Sequence, residues 1–175
     1  MQISMYTASV PIFIKFLGNL SSILDKGVLH ATDKKIDMQF LLNDRLAPDM
    51  FPFIRQVQIA CRTAIEASAG LAGVEKITFE NTEKDVEELK ARIDKTITFL
   101  KALNPEQFTG SEERPVSVYF MPGKHLPGIE YLTELALPNF YFHLTTAYAI
   151  LRHNGVNLGK GDYIGSLAFR DSEVK

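Results

Sequence analysis

Tyr6, Val10, Phe13, Leu17, Leu20 and Leu24 follow one another at steps of four, three, four, three and four residues. That spacing keeps all six on one side of an α-helix; a strand, whose faces alternate, would scatter them over both. The signature recurs in Phe53, Val57, Ala60 and Ala64, and again in Val86, Leu89, Ile93, Ile97, Leu100 and Leu103. A fourth helical pattern occupies 129–153. Helices with one apolar stripe each bury those stripes against one another. The spacing therefore predicts an all-α four-helix bundle, with any site built between facing helices.

Prolines, glycines and short polar residues punctuate the pattern. Pro11 predicts a late start or a kink in the first helix, which fades near 27–30. The connection 31–47 has room for a short helix capped by Asp37. Asp49 reads as the N-cap of the second long helix, with Pro52 in its first turn and Gly70 and Gly73 at its end. Thr82 and Asp85 have the spacing of a capping box for the third helix, which Pro105 ends. Between the third and fourth helices periodicity disappears. Arg114 to Phe120 read as extended and Pro122-Gly123-Lys124 as a turn, so a small β-hairpin or flap is expected there. Pro138 should bend or divide the fourth helix, and Gly155 suits a left-handed position after its end. The expected organisation is one domain over 1–165 and a flexible tail over 166–175, disordered at Ser172 to Lys175.

Composition narrows the function classes. With 175 residues the chain can bury a core unaided, and 46% hydrophobic with 23% charged residues is ordinary for a globular domain. A net charge of −2 and the lack of a linear basic patch argue against nucleic acid as a partner. Cys61 is the single cysteine, which rules out an internal disulfide and a cysteine-rich zinc site. Its apolar setting reads as a small buried side chain. Lys15, Asn19 and Ser21 interrupt the first apolar stretch too often for a membrane span, and the N-terminus lacks the basic region of a secretory signal. The expected location is cytoplasmic.

The fourth helix carries more polar groups than a core helix needs. Asn139, His143 and Thr146 fall at i, i+4 and i+7 and share a face, which could line a ligand or metal site or form a hydrogen-bonded seam. Tyr148 lies beyond His143, where its hydroxyl could donate into a pocket. His153, in the last turn, complements the helix dipole, and His125 sits in an exposed turn. Most of the aromatic side chains here, Tyr131, Phe140, Tyr141 and Phe142 among them, read as core or interface. The segment Gly159-Lys160-Gly161-Asp162-Tyr163-Ile164-Gly165 reads as ordered, either a lid folded back over the bundle mouth or a contact with a partner subunit.

Several segments together carry a family resemblance. They are Arg45-Leu46-Ala47-Pro48-Asp49-Met50-Phe51-Pro52, Arg55-Gln56-Val57-Gln58-Ile59-Ala60, Pro138-Asn139-Phe140-Tyr141-Phe142-His143, Ala147 to Gly155 and Gly159 to Gly165. Spread over nearly the whole chain, they resemble an uncharacterised family of small bacterial and fungal proteins, similar to a divergent branch of the DinB/YfiT-like metalloenzyme superfamily. The resemblance implies a DinB-like four-helix bundle with a small β insertion between helices 3 and 4. Metal-holding members use one histidine on the second helix and an H-x-x-x-H pair on the fourth. Setting Leu151-Arg152 and Gly155 in that register places His143 at the second position of the pair, Asn139 at the first, and Gln56 near the remaining ligand position. Neutral amides are poor ligands for zinc or nickel, so the implied site is degenerate and any divalent metal on His143 weakly bound.

Two functional classes follow. One is a small-molecule-binding or stress-associated protein, with exposed aromatics making a homodimer. The other is a metal- or histidine-dependent enzyme of the thiol-transferase or hydrolase type. In it His143 is base or ligand, Asp49 orients it, and Gln56, Asn139, Tyr148 and Arg55 form the pocket. Without chemistry, His143 is a buried imidazole satisfied by Gln56, Asp49 or a backbone carbonyl.

Overall fold

The computed structural model describes residues 3–118 and 120–171. Four long helices form the predicted bundle: α1 (Val10–Lys34), α3 (Phe53–Ala72), α4 (Val86–Lys101) and α6 (Leu137–His153). Short α2 (Met38–Asn43) lies between α1 and α3. Around the bundle, α1 packs on α4, α4 on α3, and α3 on α6; α6 returns to α1. Phe13 of α1 and Phe140 of α6, both fully buried, meet edge to face with centroids 4.7 Å apart. Helix α3 is the central element, apolar or small on nearly every side: Val57, Ala60, Cys61, Ala64, Ala67 and Leu71 have no exposed surface.

The helix ends follow local chemistry. Pro11 occupies the first turn of α1, where its missing N–H costs nothing, so the late start is found; the helix outlasts the expected fade and runs to Lys34. Asp37 caps α2, accepting from Gln39 N at 2.9 Å. Asp49 does not cap α3. Helix α3 begins at Phe53 with Pro52 as the extended N-cap residue, because a residue before proline, here Phe51, is kept out of helical conformation. The cap of α4 also lies further along than the Thr82–Asp85 spacing indicates. Asp85 itself is the N-cap, accepting from Glu88 N at 2.9 Å, while Glu88 accepts from Lys84 N at 2.7 Å.

The segment between α4 and α6 contains the predicted hairpin. Strands β1 (Pro115–Ser117) and β2 (His125–Pro127) pair antiparallel, with Val116 opposite Leu126. A single turn, α5 (Gly128–Glu130), then runs into a π-helical turn (Tyr131–Ala136) and on into α6. Pro138 stands in the first turn of α6. Its ring excludes the carbonyl one turn earlier and it donates nothing, so the widened π turn falls where a regular helix cannot continue. Gly155 has the left-handed φ of 86° expected of it.

The ordered segment after Gly155 forms α7 (Lys160–Ile164), which docks on its own chain. Asn19 donates to Tyr163 O at 2.9 Å, Lys26 pairs with Asp162 at 2.6 Å, and the Tyr163 ring packs on Phe16 and Tyr148. Residues 166–171 are exposed; Ser172 to Lys175 lie outside the described residues. Among the described residues no helix is long and apolar enough to cross a membrane.

Candidate functional site

Helices α3 and α6 meet along a polar seam. Gln56 and Thr63 lie two turns apart on α3, Asn139 and His143 one turn apart on α6. The helices bring them together in antiparallel order: His143 Nδ1 lies 2.6 Å from Gln56 Oε1, and Asn139 Nδ2 donates to Thr63 Oγ1 at 2.8 Å. Thr146, on the same face, turns back to its own helix and donates to Phe142 O at 2.8 Å. Gln56 is 1% exposed and His143 7%, so both have exchanged water for each other.

The hydrogen bonds define the histidine tautomer. Gln56 Nε2 donates to Phe51 O at 2.8 Å, which turns Oε1 toward the imidazole. An amide oxygen only accepts, so Nδ1 carries the proton and Nε2 keeps its lone pair. Burial, reinforced by the positive charges of Arg62 and Arg55, lowers the His143 pKa from 6.5 to about 4. The ring is neutral at pH 7. Because the folded state holds this proton less tightly than the unfolded chain, stability is complete above the unfolded value and falls as pH drops from 6.5 toward 4. The wild-type protein should lose on the order of 2 kcal/mol more than His143→Gln between pH 7 and pH 4.5. Urea midpoints at the two pH values check this; parallel losses in both proteins would refute it.

The other sequence-selected residues are dispersed. Asp49 is exposed in the turn before α3 and makes no hydrogen bond or ion pair with a described residue. Gln56, not Asp49, is the partner of His143. Arg55 donates to Gln58 Oε1 at 3.0 Å and lies over the Phe51 ring. Tyr148 is five residues past His143, about 140° round the helix, and its hydroxyl points to Leu158 O at 3.5 Å. His125 and His153 are exposed. Cys61 is fully buried, and burial raises its thiol pKa to about 11, the state of an inert core residue.

A cavity of about 260 Å³ opens at the Asn139 end of the seam, between α3, the hairpin and the π turn. Its polar lining residues are Arg62, Thr63, Glu66, Lys76, Ser117 and Asn139. Val74, Val116, Val118, Tyr131 and Leu135 line it as well, together with exposed Phe120. Lys76 pairs with Glu66 at 2.9 Å. Gly70 brings the hairpin against α3, because Val116 Cγ1 sits 2.8 Å from where a β-carbon would be. Asn139 alone among the sequence-selected residues lines this space. A signal for Arg62 and Glu66 was present: Arg55, Arg62 and Glu66 are the only charges of α3 and recur at seven and four residues, on one face of an otherwise uncharged helix.

The donor set does not fit a tightly held divalent metal. Its one imidazole is accompanied by an amide oxygen already accepting from it and by a second amide bound to Thr63. Among the described residues no group of three or more His, Cys, Asp or Glu is placed to hold an ion. No curated protein matches the chain. A crystal structure of a DinB family member protein from Shewanella denitrificans is 43% identical, covers 95% of each chain and superposes with a TM-score of 0.92. The model of the family described as "Domain of unknown function (DUF1993)" matches residues 5–164. The bundle, its small hairpin and these two likenesses agree, and the chain belongs to the DUF1993 family, with a DinB-like fold.

Proposed function

We propose that the protein binds a small molecule in the cavity between α3, the hairpin and the π turn, and that its metal site is degenerate. The observation carrying this reading is the cavity itself, lined by both apolar and polar side chains at the Asn139 end of the α3–α6 seam. His143 and Gln56 hold the two helices in register. Asn139 and Thr63 present their polar groups where seam and cavity meet. Thermal-shift and ligand-observed NMR screening with small polar and amphipathic metabolites tests it. Compounds that raise the melting temperature of the wild type should fail to do so for Leu135→Trp, which places a larger side chain in the cavity lining. Hits that persist in Leu135→Trp would place binding elsewhere.

A second reading, a histidine-dependent enzyme of the thiol-transferase or hydrolase type, is favoured by one observation: neutral His143 donates through Nδ1 to a carbonyl oxygen, which leaves the unprotonated nitrogen at Nε2. Under it, His143→Ala abolishes turnover while ligand binding persists; under the binding reading it changes only stability. Metal analysis of protein purified without chelator belongs to the same comparison, and stoichiometric metal lost in His143→Ala would overturn the degenerate-site reading. Self-association has its material in Phe51 and Phe142, 54% and 56% exposed, and sedimentation velocity decides it.

A further inference from the structure

We infer that the cavity selects a neutral ligand carrying an amide-type group, such as a primary carboxamide, lactam or ureide, recognised by the side-chain amide of Asn139. The inference rests on the binding reading above and adds the chemical class of the ligand.

Asn139 and Thr63 both line the cavity and are bound to each other, Asn139 Nδ2 donating to Thr63 Oγ1 at 2.8 Å. Among the described residues this is the one side-chain hydrogen bond of either group. It leaves the Asn139 carboxamide with its oxygen to accept and its second N–H to donate, and the Thr63 hydroxyl hydrogen is a further donor. An amide answers both needs within one small unit, because its carbonyl accepts and its N–H donates. The pair is also held in place. Thr63 is 7% exposed on α3, and a β-branched side chain in a helix has few rotamers. Asn139 follows Pro138 in the first turn of α6. The bond to Thr63 then fixes the rotation of the carboxamide, so little ordering remains for a guest to impose.

Near relatives of an amide fit less well. A ketone gives Asn139 Oδ1 no donor and leaves it desolvated without a partner. A carboxylate has only acceptors to set against that oxygen. Lys76 and Glu66, also in the lining, pair with each other at 2.9 Å, so this ion pair demands no counterion from the guest. Val116, Val118 and Leu135 line the same space, whose volume of about 260 Å³ suits a compact apolar or aromatic body carrying the amide.

The test compares three probes of one shape, benzamide, acetophenone and benzoate, titrated into the full chain by calorimetry and heteronuclear NMR. The expected result is a preference for benzamide of about tenfold or more over either of the others. The side-chain N–H signals of Asn139 should shift with benzamide; signals that stay in place overturn the assignment. In Asn139→Leu, benzamide and acetophenone should bind within about threefold of each other, since the group that tells them apart is gone. Leu135→Trp should block all three. If acetophenone or benzoate binds as tightly as benzamide and Leu135→Trp still blocks it, the amide assignment falls while the binding site stands. If none of the three binds the folded wild type, the amide assignment falls, and the metabolite screen decides the binding reading separately. Should Asn139→Leu not fold, Thr63→Val serves in its place. Freeing the carboxamide should then cut the preference for benzamide by about threefold or more, and an unchanged preference overturns the assignment.

Discussion

Gly128→Ala is expected to destabilise the protein by roughly 4 kcal/mol, or to prevent folding altogether. A β-carbon at Gly128 would lie 1.9 Å from the carbonyl oxygen of Ser111 and 3.0 Å from Leu71 Cδ2. The neighbour is backbone and cannot swing aside. Relief requires moving the turn before β1, and that turn is tied down on both sides: Ile129 N donates to Glu112 O at 3.0 Å, and Arg114 N donates to Ser111 O at 3.3 Å. Arg114 also reaches the carbonyl oxygens of Leu71 and Gln107, closing the C-terminal end of α3. A push at Gly128 therefore loosens the hairpin, the α3 terminus and one wall of the cavity together. A β-carbon at Gly18, in α1, would have nothing within 4 Å, so Gly18→Ala should stabilise by about 0.5–1 kcal/mol. Urea denaturation of the two alanine variants, expected to shift in opposite directions, is the check.

Breaking the buried ion pair between the α4 helix and the loop before it is the second large effect. Arg92 is 3% exposed; its Nη1 donates to Glu83 Oε1 at 2.8 Å, its Nη2 to Gln58 O at 3.3 Å, and its guanidinium lies 4.6 Å from the centre of the Phe79 ring. Glu83 accepts in turn from Gln58 Nε2 at 2.8 Å. Glu83→Gln and Arg92→Met should each cost about 3–5 kcal/mol, because each leaves a desolvated charge without its counterion. The double variant Glu83→Gln/Arg92→Met should cost less than the sum of the two, since the second change removes the stranded charge. Chemical denaturation of the complete double-mutant cycle measures this. Additive losses would show that the two groups act separately.

The bundle was legible because helical periodicity is a local property. The stripe from Val10 to Leu24 and the one from Val86 to Leu100 point their residues inward whatever the neighbours are, and those residues are buried, Ile97 only partly. Helix starts were less so. Asp49 looked like a cap because side-chain chemistry favoured it, yet the proline after Phe51 moved the start to Phe53. The polar face of Asn139 and His143 was also readable, but the partners were not. That Gln56 takes the imidazole, and that Thr63 takes the amide, depends on how two helices roughly eighty residues apart in sequence slide past each other.

The sequence by itself determined four helices, a hairpin after the third, a break at Pro138 and the polar character of the α6 face, all set by the steric and hydrogen-bonding preferences of residues near one another in the chain. Only the tertiary structure decided which groups meet: the cavity joins side chains of α3, the loop after it, the hairpin and the π turn. Burial and long-range fields are sums over the whole fold, and so are the neutral His143 and the inert Cys61.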